Sequence, residues 1–107
     1  MNQITTTINT ETLQSINTLW KDVYFEQTDL GRVYKSICEF TALKFYKKQL
    51  SRVGKNPKKE FTLTLEYFEA AIISYHLRIA IVVLYRSDSL EYIRVNNFCN
   101  DLYQKTI

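Results

Sequence analysis

The chain has 107 residues, which is the size of a single domain and is sufficient to bury a core without disulfide or metal cross-links. It contains 14 Lys and Arg against 11 Asp and Glu, a modest net charge of +3, and only two Gly and one Pro. A β-sandwich or β-barrel of this length needs many Gly, Pro and Asn turns, so the composition argues against both. It favours long helices with few connections.

The N-terminal segment is rich in Thr and Asn, with isolated Ile4 and Ile8. We expect residues 1–10 to form a flexible or extended arm and residues 11–107 a single helical domain. The weak alternation of QITTTI leaves a short added strand as an alternative. The arm lacks the basic region and the apolar run of a secretory signal. Because the only cysteines stand far apart in apolar surroundings, as buried reduced thiols do, we expect a cytoplasmic protein.

Two helices are predicted in the first half of the chain. Apolar residues at helical spacing predict the first over residues 10–26, and Thr28 or Asp29 is placed to cap a second that runs to about Val53. In the first half of this second helix, one sector of the helical wheel holds Leu30, Val33, Tyr34, Ile37 and Phe40. In its second half, the same sector holds Lys and Arg. This shift predicts a bend near residues 41–43, or a far half that packs on another surface such as a second chain.

The most apolar part of the sequence follows a linker marked by Gly54 and Pro57, residues that end a helix and prevent its continuation. A third helix is predicted over residues 64–86, with Thr64 as its N-cap. Its apolar side chains cover every sector of the wheel, and such a helix is either buried on all sides or lies in a membrane. Because the run is shorter than a typical span and contains Arg78, we predict a central core helix and no membrane association.

A fourth helix is predicted after residues 87–89, opened by the capping-box spacing of Asp88 and Glu91. The fold class is therefore all-α, a small four-helix, bundle-like domain with the third helix at its centre. The alternation of FTLTLEY also fits a strand, so an α+β fold is the alternative. Three neighbouring helices have difficulty enclosing a helix that is apolar on every side. This difficulty, with the shift in the second helix, predicts a homodimer.

Charge is distributed unevenly along the chain. Residues 32–59 contain nine Lys and Arg against one Glu, a local net charge of +8, whereas both flanking segments are acidic. If residues 44–55 are helical, their basic side chains share a sector of about 140°. The candidate partner-binding residues are Lys44, Lys47, Lys48, Arg52, Lys55, Lys58, Lys59 and Tyr46. Such a stripe docks an acidic partner or neutralises phosphates, with Phe45 and Tyr46 available to stack on bases. The alternative is a solvated face whose aromatic side chains turn inward.

The sequence offers little catalytic chemistry. His76 is the only histidine and lies in the most apolar stretch, where a hydrogen-bonded core or subunit-contact histidine is the simpler interpretation. One His and two separated Cys do not supply the three or four ligands of a zinc site, and no Gly-rich phosphate loop is present. We expect no enzymatic activity, no metal, no cofactor and no small-molecule substrate.

Tyrosine is unusually frequent, with eight residues, most of them on or beside apolar faces. Tyrosines in such positions either pack in the core with the hydroxyl at the surface or contribute to an interface. We therefore predict a small non-enzymatic interaction or regulatory protein that binds another macromolecule through its basic helix face and exposed tyrosines. Nucleic-acid binding by the Lys and Arg residues of segment 44–59 is the alternative.

Overall fold

The fold was analysed in a computed structural model that describes residues 2–107. It is mostly helical, with four α-helices and a small two-stranded sheet, so it fits a helical or α+β class and is not clearly a pure four-helix bundle. In chain order, the elements are β1 (Gln3–Ile8), α1 (Thr10–Asn17), a 3₁₀ turn (Trp20–Asp22), α2 (Asp29–Ser51), β2 (Phe61–Glu66), α3 (Tyr67–Leu84) and α4 (Leu90–Thr106).

The two strands pair in antiparallel register, with Gln3 opposite Glu66 and Ile8 opposite Phe61. Alternate residues of β1 are buried, as the period of two in a strand requires. Residues 3–8 thus form the short strand that the sequence analysis left as an alternative for the arm. Met1 of the predicted arm lies outside the described residues.

Polar contacts join β1 to α4, the C-terminal helix. The hydroxyl of Thr6 donates a hydrogen bond to Asp101 in α4, and Lys105 Nζ lies 2.9 Å from the carbonyl oxygen of Thr5. Burial by itself would raise the pKa of Asp101, but hydrogen bonds from Thr6 and Lys105 and the charge of Lys105 outweigh it and lower that pKa. The N-terminal strand is thus an integral part of the fold.

Helix α2 agrees with the sequence analysis at its start and close to its end. Its N-cap is Thr28, whose side chain accepts a hydrogen bond from the backbone N–H of Gly31, and it ends at Ser51. Gly54 then adopts φ of 83°, in the left-handed region that ends helices. The predicted first helix is shorter than expected, because α1 ends at Asn17 and a 3₁₀ turn follows.

The start of α3 differs from the prediction. Phe61–Glu66 is a strand, and the helix begins at Tyr67 with Glu66 as N-cap in place of Thr64. The carboxylate of Glu69 accepts a hydrogen bond from the backbone N–H of Glu66, so the cap is a capping box. The N-cap of α4 is Ser89, not Asp88, and its side chain accepts from the backbone N–H of Tyr92.

One apolar core joins both strands and all four helices. Its fully buried members include Phe45 of α2, Ile73 and Leu77 of α3, and Leu102 of α4. α3 packs most extensively against α4 and runs antiparallel to α2, since Tyr34 contacts His76 near one end and Thr41 bonds to Glu69 near the other.

Helix α3 is central but not enclosed. One side of it is buried in the core, whereas the other carries exposed apolar side chains from Phe68 to Leu84. Its own chain therefore covers α3 on one side only, and the predicted central core helix is not enclosed within a single copy. By length and composition alone, α3 is also long and apolar enough to cross a membrane, with a mean hydropathy of 1.5. A core helix of a soluble protein meets the same criteria, so these properties are weak evidence for a membrane-spanning helix.

Candidate functional site

The predicted basic residues lie on the C-terminal part of α2 and on the linker that joins α2 to β2. We call this surface the basic end and define it as Lys44, Lys47, Lys48, Arg52, Lys55, Lys58 and Lys59. Helix α2 stops at Ser51, so Lys55 is not on the helix and the predicted single helical sector does not extend that far. The linker is nevertheless shaped by its own backbone hydrogen bonds, including Lys55 N–H to the Arg52 carbonyl at 3.1 Å.

Lys44 has a structural role. Its Nζ lies 2.7 Å from Glu69 Oε1, and the Glu69 side chain is completely buried. The hydroxyl of Thr41 donates to Glu69 Oε2 at 2.6 Å, and the Glu66 backbone N–H donates to Oε1 at 3.0 Å. Burial by itself raises the pKa of Glu69. The hydrogen bonds from Lys44, from Thr41 and from the Glu66 backbone, together with the charge of Lys44, lower this pKa by more than burial raises it. The net pKa of Glu69 is therefore below its ordinary value of 4.5. This network joins α2 to the start of α3.

Two further cations of the basic end are held against an aromatic ring. Lys48 Nζ and Arg52 Cζ lie 5.5 and 4.5 Å from the ring centroid of Phe61, the first residue of β2. Both distances are in the range of a cation–π interaction, which restrains the side chains without neutralising them. The ring therefore concentrates two positive charges beside the linker.

The remaining four lysines of the basic end, Lys47, Lys55, Lys58 and Lys59, are exposed. Within residues 2–107, none of their ammonium groups forms an ion pair or a side-chain hydrogen bond with another residue. Over residues 2–107, the basic end thus combines four exposed, unpaired cations with two that Phe61 restrains. Such a surface attracts anionic groups.

Of the two aromatic residues predicted to stack on bases, one is buried and the other is partly exposed. Phe45 is completely buried and packs edge-to-face against Trp20 and Phe98. Tyr46 is 44% exposed, but its hydroxyl donates to the Asn17 carbonyl at 2.9 Å, which fixes the ring against α1. The structure therefore turns one of the two predicted stacking residues inward and engages the other. The other exposed tyrosines are dispersed over the surface, at Tyr24, Tyr67, Tyr75 and Tyr103.

His76 lies among three aromatic rings, those of Phe25, Tyr34 and Tyr75, with centroid distances of 4.9, 5.5 and 5.2 Å. It is buried, and its Nδ1 is 2.9 Å from the Ile72 carbonyl, so Nδ1 carries the donated proton. The imidazole also lines a cavity of about 410 Å³ between the segment that precedes α2 and the far end of α3. This arrangement is that of a packed, hydrogen-bonded histidine.

A second surface was not predicted as a site. The first half of α2 and the outer side of α3 expose rows of apolar side chains on neighbouring helices. We call this surface the apolar face and define it as Leu30, Val33, Ile37 and Phe40 on α2 with Phe68, Ile72, Tyr75, Ile79 and Val82 on α3. The apolar sector of α2 was visible in the sequence, but its exposure was not, since burial depends on which neighbours are present.

Comparison of the chain with protein-family models, with curated proteins and with solved structures found no match.

Proposed function

We propose that this protein is a non-enzymatic interaction protein whose basic end docks on an acidic surface of a protein partner. The observation that supports the proposal is the set of four exposed, unpaired lysines next to Lys48 and Arg52, both restrained by Phe61. A restrained cation loses less conformational entropy when it binds than a mobile one, so the centre of this surface is pre-organised.

Charge also favours this surface over the rest of the molecule. Segment 32–59 has a net charge of +8, whereas the whole chain has only +3. Complementary charge accelerates association and orients the partner, and it contributes less to the final affinity. We expect the complex to be salt-sensitive, with Tyr46 at the rim of the contact.

Nucleic-acid binding is the second candidate, because the same lysines are spaced to neutralise phosphates. It is less favoured, since the buried ring of Phe45 is not available to stack on a base. A cytoplasmic location, a regulatory role and the absence of catalytic activity are parts of the proposal that come from the sequence.

Matched charge-reversal variants test the proposal. Lys47→Glu/Lys58→Glu/Lys59→Glu reverses three of the four exposed, unpaired charges of the basic end and leaves Lys55 in place. Lys21→Glu/Lys35→Glu/Arg86→Glu changes the net charge equally at exposed positions elsewhere. Binding of fluorescent polyglutamate, single-stranded DNA and duplex DNA is measured by anisotropy over a range of salt concentrations.

We expect polyglutamate to bind the wild-type protein and the control variant, and to lose at least about tenfold in affinity with the basic-end variant. Equal losses in both variants would show a general charge effect and refute a specific surface. Tighter binding to DNA, with a steep salt dependence that the basic-end variant removes, would support the second candidate. No binding of any probe at low salt would refute both.

A further inference from the structure

The apolar face has the spacing of a helix-packing seam. On α2, its residues follow one another at intervals of three, four and three; on α3, the intervals are four, three, four and three. Alternation of three and four keeps side chains on one stripe of a helix that packs lengthwise against another helix. On α2, the next position of the same series is a cation, Lys44, whereas α3 ends at Leu84.

The two stripes form one continuous surface. At one end, Leu30 of α2 and Tyr75, Ile79 and Val83 of α3 line the same cavity. At the other end, Lys44 lies 5.1 Å from the ring centroid of Phe40 and bonds to Glu69, the neighbour of Phe68. A partner that covers one stripe therefore also contacts the other.

The apolar face is large for a monomer. Seven of its nine side chains are between 47% and 63% exposed. At about 100 Å² for each half-exposed large side chain, the face leaves on the order of 800 Å² of apolar surface in water. The largest apolar patch of a typical monomer is about 300–600 Å². A stable dimer interface buries about 800 Å² on each partner, which is the area available here.

We propose that the apolar face is the subunit interface of a homodimer, in which α2 and α3 of one copy pack against α2 and α3 of a second copy. A two-fold interface must be complementary to itself, and a seam of alternating three- and four-residue intervals meets this condition because its side chains interdigitate with an identical seam. The face contains no charged side chain, so its burial leaves no ion unpaired. In this dimer, α2 and α3 of the two copies form a layer of four helices, and the basic end of each copy stays exposed. This inference is independent of the proposed function.

Sedimentation equilibrium of the full chain tests the dimer. We expect a mass of twice 12.7 kDa at micromolar concentrations. The charged variants Val33→Glu and Ile79→Glu, one on each helix of the face, are each expected to weaken dimerisation at least about 100-fold, because each copy buries an unpaired carboxylate. Leu50→Glu is the matched control: it introduces the same charge at an exposed apolar position of α2 outside the face, and it stays dimeric.

Three results would overturn the inference. The first is a wild-type protein that is a monomer at all micromolar concentrations. The second is a dimer whose stability neither face variant changes. The third is a monomer that co-sediments with neutral phosphatidylcholine vesicles, and whose co-sedimentation Val33→Glu and Ile79→Glu abolish. If circular dichroism shows that a Glu variant has lost helicity, the Ser variant at the same position, Val33→Ser or Ile79→Ser, is used in its place. The concentration dependence of the wild-type melting temperature gives a measurement that needs no variant, since a dimer melts higher at higher concentration.

Discussion

The buried carboxylate of Glu69 gives the sharpest test of the fold. Replacing Lys44 by Ala removes the cation that lies 2.7 Å from this carboxylate and leaves the negative charge in an enclosed site. The hydrogen bonds from Thr41 and from the Glu66 backbone remain. We expect Lys44→Ala to destabilise the protein substantially, although Lys44 itself is a partly exposed residue on the basic end.

The magnitude follows from the exposure of the two partners. Removing one partner of a fully buried ion pair costs about 3–5 kcal/mol, because the other charge is left uncompensated. Here Lys44 is 40% exposed, so water already screens part of the attraction, and two other donors stay with Glu69. We therefore expect a loss of about 2 kcal/mol, which is a large fraction of the roughly 5–15 kcal/mol stability of a typical domain.

Urea unfolding at neutral pH, followed by circular dichroism, measures this loss. With a slope of about 1–3 kcal/mol per molar urea, the midpoint is expected to fall by about 1 M. Lys47→Ala is the control, since Lys47 is an exposed lysine of the same helix without an ion pair, and we expect its effect to stay within about 0.5 kcal/mol. Equal midpoints for the two variants would refute the idea that Lys44 compensates a buried charge.

Three further predictions concern pH, thiol reactivity and glycine. Because the pKa of Glu69 is below its ordinary 4.5 in the folded state, its stabilisation is present above pH 4.5 and is lost as pH falls, and Glu69→Gln is expected to flatten the acid limb of a stability–pH curve. Burial raises the pKa of Cys38 and Cys99 to about 12, so we expect Ellman's reagent to label neither in the native protein and both in guanidinium chloride. Gly31→Ala is expected to cost about 1–3 kcal/mol in urea unfolding, because its new Cβ meets the backbone of residue 26, whereas Gly54→Ala costs only about 1 kcal/mol from its positive φ.

Each of these predictions has a distinct contrary result. An acid limb as steep in Glu69→Gln as in the wild-type protein would assign the pH dependence to other carboxylates. Rapid labelling of one native thiol would show that its site is open. Equal stability of the two Gly→Ala variants would mean that residues 26 and 31 are not in close contact.

The sequence by itself determined the features that depend on neighbouring residues. An N-cap at Thr28 or Asp29, the long α2 and the left-handed break at Gly54 follow from local hydrogen bonding and backbone sterics. The structure confirms the helix and the break, with Thr28 as the N-cap. The clustering of positive charge in segment 32–59 is likewise a property of composition. Helical spacing also located the apolar sector in the first half of α2, without showing what covers it.

The tertiary structure decided the features that depend on distant partners. Segment 61–66 alternates like a strand but also fits the start of a helix, and its pairing with residues 3–8 selects the strand, because strand hydrogen bonds need a second strand. Lys44 reads as one lysine of a surface stripe until the fold places Glu69 beside it. Which side of the largely apolar α3 is buried was likewise set by packing, since burial is a property of the neighbours and not of the helix.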